Sequence, residues 1–146
     1  MIYSATTEYA IRALAHLATL EPGERILARD LASATEVPRQ FLGKILHRLA
    51  RQGMLDSAKG RGGGFRFSRP AEQITLADLV EVVEGKDIMR LCVLGLDDCT
   101  DSQPCPMHDE WQGFRERLRT RVHSATLADL GRNLKAKRAG VVPPVA

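Results

Sequence analysis

The fold is decided by residues 38–67, which read PRQFLGKILHRLARQGMLDSAKGRGGGFRF. The spacing of their apolar side chains predicts a helix from Pro38 to Gln52, whose buried stripe consists of Phe41, Leu42, Ile45, Leu46 and Leu49. Pro38 suits the first position of this helix because its missing N–H has no partner there. The second half predicts two strands, Met54–Ala58 and Phe65–Ser68, joined by a turn at Lys59–Gly64.

The residues before this stretch complete a helix-turn-helix. From Thr6 to Leu20, apolar residues recur at spacings of three and four residues, which predicts a first core helix that ends before Pro22 and Gly23. A short second helix is predicted at Ile26–Ala34, followed by a three-residue connector. Two short helices joined in this way, the second of them basic, are typical of a helix-turn-helix, and the hairpin adds a wing. Residues 1–70 are therefore predicted to form a winged helix-turn-helix DNA-binding domain.

The second half of the chain is predicted to contain further helices around a loop. A capping-box pattern at Thr75 begins a connecting helix that ends at Glu84, within residues 71–91, and a cysteine loop occupies 92–108. Residues 106–134 are predicted to form a dimerisation helix region, with a last short helix that begins at Thr126. Residues 135–146 are expected to be a flexible tail. The predicted fold is thus mainly α with a small β-hairpin wing.

The long helix carries an apolar face made of Trp111, Phe114, Leu118 and Val122. Because one small domain cannot easily cover this face, we predict that it packs against the same helix of a second copy in a homodimer. The alternative is that the helix packs back on the first helix of its own chain.

Composition and charge place limits on the function. The chain has 146 residues, of which 44% are hydrophobic and 27% charged, which excludes a collagen-like, a low-complexity or a disulfide-dense protein. It contains neither an apolar run of membrane-spanning length nor a signal-peptide pattern, so we expect a cytoplasmic protein with no membrane partner. Residues 37–69 carry eight basic and one acidic side chain, a local charge of +7, within a chain of net charge +3. Such a block is what a surface facing DNA phosphates requires.

The candidate DNA-binding residues lie in this basic block. Gln40 and Lys44 are predicted to contact base edges, and the remaining candidates are predicted to bind phosphates or the minor groove. These remaining candidates are Arg39, Arg48, Lys59 and Arg61, and Pro38 at the start of the helix is also predicted to lie at the DNA. The glycine-rich turn does not fit the alternative of a nucleotide-binding loop, because it lacks the Gly-Lys-Ser/Thr ending.

Three cysteines fall within 14 residues, at Cys92, Cys99 and Cys105, and His108 follows closely. An odd number of clustered thiols in a reducing compartment indicates a metal site better than a disulfide framework. Gaps of six and five residues are wider than zinc sites usually have, which favours an iron–sulfur cluster and leaves zinc open. His108 is a candidate fourth ligand, and Glu8 is another, unless Glu8 only stabilises the start of its helix.

The chain resembles the Rrf2 type of bacterial winged-helix regulators, in particular its iron–sulfur members of the IscR, NsrR and RirA types. The resemblance rests on TTEYAIRAL, PRQFLGKILHRLARQGML, the RGGGF wing, TLADLVEVVEG and the three cysteines, and extends to about Leu134. It implies a homodimer on a palindromic double-stranded DNA operator and a 2Fe-2S or 4Fe-4S cluster. By position, the cysteine ligands of the family fall on the three cysteines of this chain. The fourth ligand falls on His108, or on Glu8 donated across the dimer.

The sequence thus predicts a transcriptional regulator, a repressor or dual regulator and not an enzyme, whose DNA affinity responds to iron, redox state or nitric oxide through a cluster. One alternative keeps DNA binding and replaces the cluster by zinc or free thiols. An alternative of another class is a small iron–sulfur electron carrier, which would have no use for a strongly basic helix and wing.

Overall fold

A computed structural model of the chain describes residues 2–85, 90–97 and 99–140. Within these ranges the chain forms six α-helices and one antiparallel hairpin, as the predicted fold class requires. The helices are α1 (Ala5–Leu17), α2 (Ala28–Thr35), α3 (Arg39–Arg51), α4 (Leu76–Glu84), α5 (His108–Ser124) and α6 (Leu127–Arg138). The strands are β1 (Leu55–Ala58) and β2 (Gly64–Phe67), and a short 3-10 helix at Ala71–Gln73 leads from β2 to α4. No helix in these ranges is long and apolar enough to cross a membrane.

A common core joins α1, α2 and α3. Its fully buried side chains include Leu14 of α1, Leu31 of α2 and Leu42, Leu46 and Leu49 of α3. Because α3 contributes these residues from one face, its opposite face is left toward solvent. The helix-turn-helix is therefore held by ordinary apolar packing, and the outer face of α3 is free for another role.

The first helix ends earlier than its apolar pattern predicts. The pattern extends to Leu20, whereas α1 ends at Leu17. The N–H groups of Thr19 and Leu20 instead donate to carbonyls three residues back, and the Thr19 hydroxyl donates to the His16 carbonyl at 2.6 Å. These hydrogen bonds form a 3-10-type turn, which ends the α-helix before Pro22.

The wing is joined to the helical domain through its glycines. Gly64 has a φ of 113°, and a Cβ on it would lie 2.4 Å from the Ile26 carbonyl oxygen. At this point Ile26 and Phe65 exchange two backbone hydrogen bonds of 2.8 and 3.0 Å. A Cβ on Gly63 would likewise lie 2.5 Å from the Ala58 carbonyl oxygen. Gly63 and Gly64 are thus required because other backbone segments of the chain lie too close to leave room for a side chain.

Two copies of the tetrapeptide TLAD begin α4 and α6 and contact each other. Thr75 and Thr126 each accept a hydrogen bond from the aspartate N–H three residues later, and each aspartate side chain bonds back to the threonine N–H, as in a capping box. The two helix starts are bridged, since the Leu76 N–H donates to Ala125 and the Leu127 N–H donates to Ile74, both at 2.8 Å. This junction fixes the relative positions of α4 and α6.

The last helix continues into the segment that the sequence predicts to be a flexible tail. The sequence predicts a flexible segment from Lys135, whereas α6 continues to Arg138, and residues 141–146 lie outside the described part of the chain. The helix is held because Gly131 packs on α1, where a Cβ would lie 2.7 Å from the Ala18 carbonyl oxygen. Arg138 also contacts His16 of α1, with 3.0 Å between the Arg138 Nη2 and His16 Nδ1 atoms.

The apolar face of α5 is divided between the chain's own interior and solvent. Trp111 and Val122 are only 8% and 4% exposed in the single chain, which leaves little of their surface for a contact with a second copy. They are covered from within because the Trp111 indole donates to the Leu91 carbonyl at 3.0 Å and α5 packs on α4. Phe114 remains 41% exposed and Leu118 is half-buried.

Candidate functional site

The outer face of α3 is an open basic groove of about 1290 Å³. It is lined by Pro38, Arg39, Gln40, Gly43, Lys44, His47, Arg48 and Arg51. Five of these are predicted from the sequence to contact DNA, namely the N-cap Pro38 and Arg39, Gln40, Lys44 and Arg48 of α3. His47 and Arg51 complete the face but were not predicted, although His47 lies three residues after Lys44 and Arg51 three after Arg48.

A second groove, of about 440 Å³, runs between α3 and the wing. Arg39 and His47 line it from α3, and Lys59 lines it from the wing. The His47 ring stands edge-on against Phe65, with 5.4 Å between the ring centroids. Arg61 is exposed at the wing tip. The groove therefore makes the helix face and the wing one continuous surface.

The positive charges of this surface are mostly unneutralised. No ion pair between described residues involves Arg39, Lys44, Arg51, Lys59 or Arg61. At the base of the wing, by contrast, Asp56 pairs with Arg66 at 3.2 Å and lies 3.8 Å from Arg25. The cations on the groove are therefore available to an anionic partner, whereas those at the base of the wing support its structure.

The cysteine loop brings a thiol, an imidazole and a carboxylate into one chain of hydrogen bonds. The Cys99 sulfur lies 3.0 Å from Nδ1 of His108, and Nε2 of His108 lies 3.0 Å from the Asp101 carboxylate. His108 is the first residue of α5 and is only 6% exposed, because the loop folds over it. With Nε2–H donating to Asp101, the Nδ1 lone pair points toward Cys99, which is the arrangement that orients a histidine ligand. Asp101 was not predicted from sequence.

The other two cysteines lie near enough to Cys99 for the thiols to affect one another's pKa. The backbone N–H of Leu94, with those of Leu96 and Gly95 and the Cys105 thiol, lowers the pKa of Cys92 although the residue is buried. At Cys99, burial and then the neighbouring Cys105 and Cys92 raise the thiol pKa. The three thiols are therefore close enough to shift one another's pKa, and three backbone N–H groups donate toward the Cys92 sulfur.

The predicted ligands do not all converge. In residues 2–85, 90–97 and 99–140, no three His, Cys, Asp or Glu side chains are arranged to hold a single metal ion. Glu8 lies in the first turn of α1, where its N–H donates to the Ser4 carbonyl, and no hydrogen bond or ion pair between described residues joins its side chain to the loop. Thiols and an imidazole are nevertheless the types of donor that iron–sulfur clusters take.

A hydrogen-bonded clasp connects α4, just before the cysteine loop, to the helical domain. The Glu84 carboxylate accepts from the Ser4 N–H at 2.7 Å and from the Thr7 hydroxyl at 2.6 Å. Partial burial favours the protonated acid, but the hydrogen bonds from Ser4 and Thr7 and the charge of Arg48 on α3 hold the pKa of Glu84 below its usual value. The last residue of α4 is thus hydrogen-bonded to the start of α1 and lies within electrostatic range of Arg48 on the basic helix.

A comparison with known families decides the classification. Residues 3–133 match the family model of Rrf2, described as an iron-dependent transcriptional regulator. The chain belongs to the Rrf2 family. A protein of Aquifex aeolicus, named provisionally as a helix-turn-helix-type transcriptional regulator, is 31% identical over 132 residues, which cover 89% of this chain and 91% of the relative. A Mycobacterium tuberculosis protein with the same kind of name, Rv1287, is 36% identical over 131 residues, covering 89% of this chain and 81% of the relative.

Solved structures of Rrf2-type regulators share the fold. CymR of B. subtilis, described as the global cysteine regulator, has a TM-score of 0.74 at 19% identity, covering 89% of this chain and 95% of CymR. IscR of T. potens has a TM-score of 0.71 at 20% identity, covering 97% of this chain and 93% of IscR. At these identities the likeness concerns the fold alone.

Proposed function

We propose that this Rrf2-family chain is a dimeric DNA-binding repressor whose operator affinity is controlled by an iron–sulfur cluster in the cysteine loop. The observation that carries the proposal is the combination, in one small fold, of an unneutralised basic helix face with a loop of three mutually interacting thiols and a buried histidine. Such a regulator acts in the cytoplasm, where the DNA is.

The DNA surface consists of α3, its N-cap and the wing. Gln40 and Lys44 lie on the open face of α3, where an inserted helix presents side chains to base edges in the major groove. Arg39, Arg48, Lys59 and Arg61 flank them and bind phosphates or the minor groove. Two copies of α3, related by a two-fold axis, would read the half-sites of a palindromic operator in successive major grooves.

The second copy is bound through α5. Phe114 is the exposed part of the apolar face of this helix, and Leu118 lies beside it at the next helical turn. Trp111 stacks on Phe114, with 5.7 Å between ring centroids, and so supports this contact from inside the chain. We therefore restrict the predicted dimer interface to Phe114 and Leu118, with Trp111 and Val122 as the packing beneath them.

Cys92, Cys99 and Cys105 would hold the cluster, and His108 would be the fourth ligand of the same chain. When bound, a 2Fe-2S or 4Fe-4S cluster supplies a redox-active group that cross-links the loop. The N–H groups of residues 94–96 donate toward the Cys92 sulfur, and Asp101 orients His108. Glu8 remains a candidate only as a ligand donated by the partner subunit.

Control of DNA affinity requires that the loop and α3 be connected. The loop lies between α4, which ends in the Glu84 clasp, and α5, which begins with His108 and carries the proposed dimer contact. Loss of the cluster would release His108 and the three thiols that hold it. The loop would then no longer be fixed at its two ends, and α5 could change its position relative to α3. The spacing of the two α3 helices in the dimer would then no longer match the operator.

The first experiment is the visible absorption spectrum, with iron and sulfide contents, of protein purified without oxygen. We expect charge-transfer bands in the wild type and in the control variant Ser102→Ala, whose side chain lies in the same loop, and their loss in Cys99→Ala. Operator affinity should differ at least about fivefold between cluster-loaded and cluster-free protein, the lower range of ordinary allosteric coupling. A wild-type protein that stays colourless after reconstitution with iron and sulfide would refute the cluster.

The second candidate is a regulator of the same fold that uses zinc or free thiols. The contact between Cys99 and His108 favours it, because an imidazole beside a thiol also binds zinc or assists thiol chemistry. Zinc content, and thiol titration before and after peroxide treatment, distinguish these forms in a colourless protein. Membership of a family of transcriptional regulators disfavours the electron carrier.

A further inference from the structure

We propose that Gly43 is the position at which the backbone of α3 approaches the floor of the DNA major groove most closely. The inference rests on the proposed function, because it assumes that α3 enters DNA. It adds a residue that determines operator affinity through the absence of a side chain.

The chain's own structure gives no reason for a glycine at this position. Gly43 lies within α3, where glycine is among the least favourable residues and alanine the most favourable. Its φ is not in the left-handed region, and a Cβ built on it would meet no other atom within 4 Å. Gly63, Gly64 and Gly131 differ in this respect, since a Cβ on any of them would lie 2.4–2.7 Å from a backbone oxygen.

The position of Gly43 on the helix gives a reason outside the chain. It lines the open groove together with Gln40, Lys44 and His47, which stand three residues before, one after and four after it. Leu42, Ile45 and Leu49 of α3 are buried in the core, and Gly43 is half-buried at the edge of the groove. Longer side chains, Arg39 and Gln40 one turn before and His47 one turn after, therefore flank a notch in the groove lining at Gly43.

A notch of this kind fits a base edge. Phosphates lie at the rim of the major groove and can be reached by long basic side chains, whereas the base edges form its floor. A helix that lacks a side chain at this point of the groove can come closer to the floor, which brings Gln40 and Lys44 within reach of base edges. Non-specific binding depends on phosphates and does not need this approach.

The test compares Gly43→Ala with the wild type in full-length, dimeric protein. Fluorescence anisotropy is measured on a labelled duplex selected with the wild type from a random library, and on a scrambled duplex of the same length. Gly43→Ala should melt about 3 °C higher, since alanine favours the helix. It should nevertheless bind the selected duplex at least tenfold more weakly, and the scrambled duplex within twofold of the wild type.

Gly113→Ala is the matched control, because Gly113 lies within α5 and a Cβ there would meet only the flexible end of Arg117, at 3.6 Å. It should raise the melting temperature similarly and leave both affinities unchanged, with dimerisation checked by sedimentation. If Gly43→Ala binds the selected duplex as tightly as the wild type, the inference is overturned and the proposed function stands. If the wild type prefers no duplex over a scrambled one, both fall together.

Discussion

Removal of the two cations of the wing tests the DNA surface most directly. Lys59 and Arg61 are exposed and form no ion pair with a described residue, so Lys59→Ala/Arg61→Ala removes two unneutralised charges per chain and four per dimer. If all four meet phosphates, the slope of log affinity against log salt becomes shallower by about 3.6. Over a fourfold increase in salt, the wild type should therefore lose about 150-fold more affinity than the variant.

The assay is fluorescence anisotropy on the selected operator duplex at salt concentrations from 50 to 200 mM, a range over which phosphate contacts dominate the salt dependence. Lys135→Ala/Lys137→Ala is the matched control, because it removes the same charge from α6, away from α3 and the wing. We expect the control to change the slope by less than about 1, one phosphate contact. A wing variant that changes it no more than the control would refute the assignment of the wing to DNA.

Three further predictions concern the loop, the clasp and the core. Asp101→Asn should release iron to a chelator about tenfold faster than the wild type, because His108 loses the carboxylate that orients it. Folding lowers the pKa of Glu84, so the stability that this carboxylate contributes is complete above its usual pKa of about 4.3 and is lost as the pH falls through the lower pKa of the folded state. In thermal melts, the melting temperature of Glu84→Gln should therefore fall less than that of the wild type when the solution is acidified. Gly131→Ala should lower stability by about 1–3 kcal/mol in urea unfolding, because its Cβ would overlap the Ala18 carbonyl.

Local sequence signals were sufficient to predict the helix-turn-helix, the wing and the first residues of the later helices. Pro38 before an apolar stripe, and threonine three residues before aspartate at Thr75 and Thr126, are short-range patterns whose physical cause lies within one helical turn. The structure places these starts within one residue of the predicted positions. The end of α1 was less predictable, because the Thr19 hydroxyl competes with the helix for the His16 carbonyl.

Contacts between distant segments could not be read from the sequence. The burial of Trp111 depends on Leu91, twenty residues earlier, and the clasp joins Glu84 to Thr7, 77 residues earlier. The apolar spacing of α5 correctly indicates a buried face, but spacing alone does not say whether the chain itself or a partner covers it. The role of Asp101 was hidden for a related reason, since aspartates in an acidic loop are indistinguishable until one of them meets His108.

The charge distribution indicates how the loop can act on DNA. Residues 70–111 carry two basic and ten acidic side chains, a local charge of −8, beside the +7 of residues 37–69. An acidic loop is repelled by phosphates within a Debye length, about 8 Å at physiological ionic strength, so we do not expect the loop to contact the operator. In the proposed mechanism, the effect of the loop on DNA binding therefore passes through the fold, by way of the Glu84 clasp and α5. Charge reversal at Asp97, exposed in the loop, should accordingly change operator affinity less than Glu84→Gln does, although it alters the charge more.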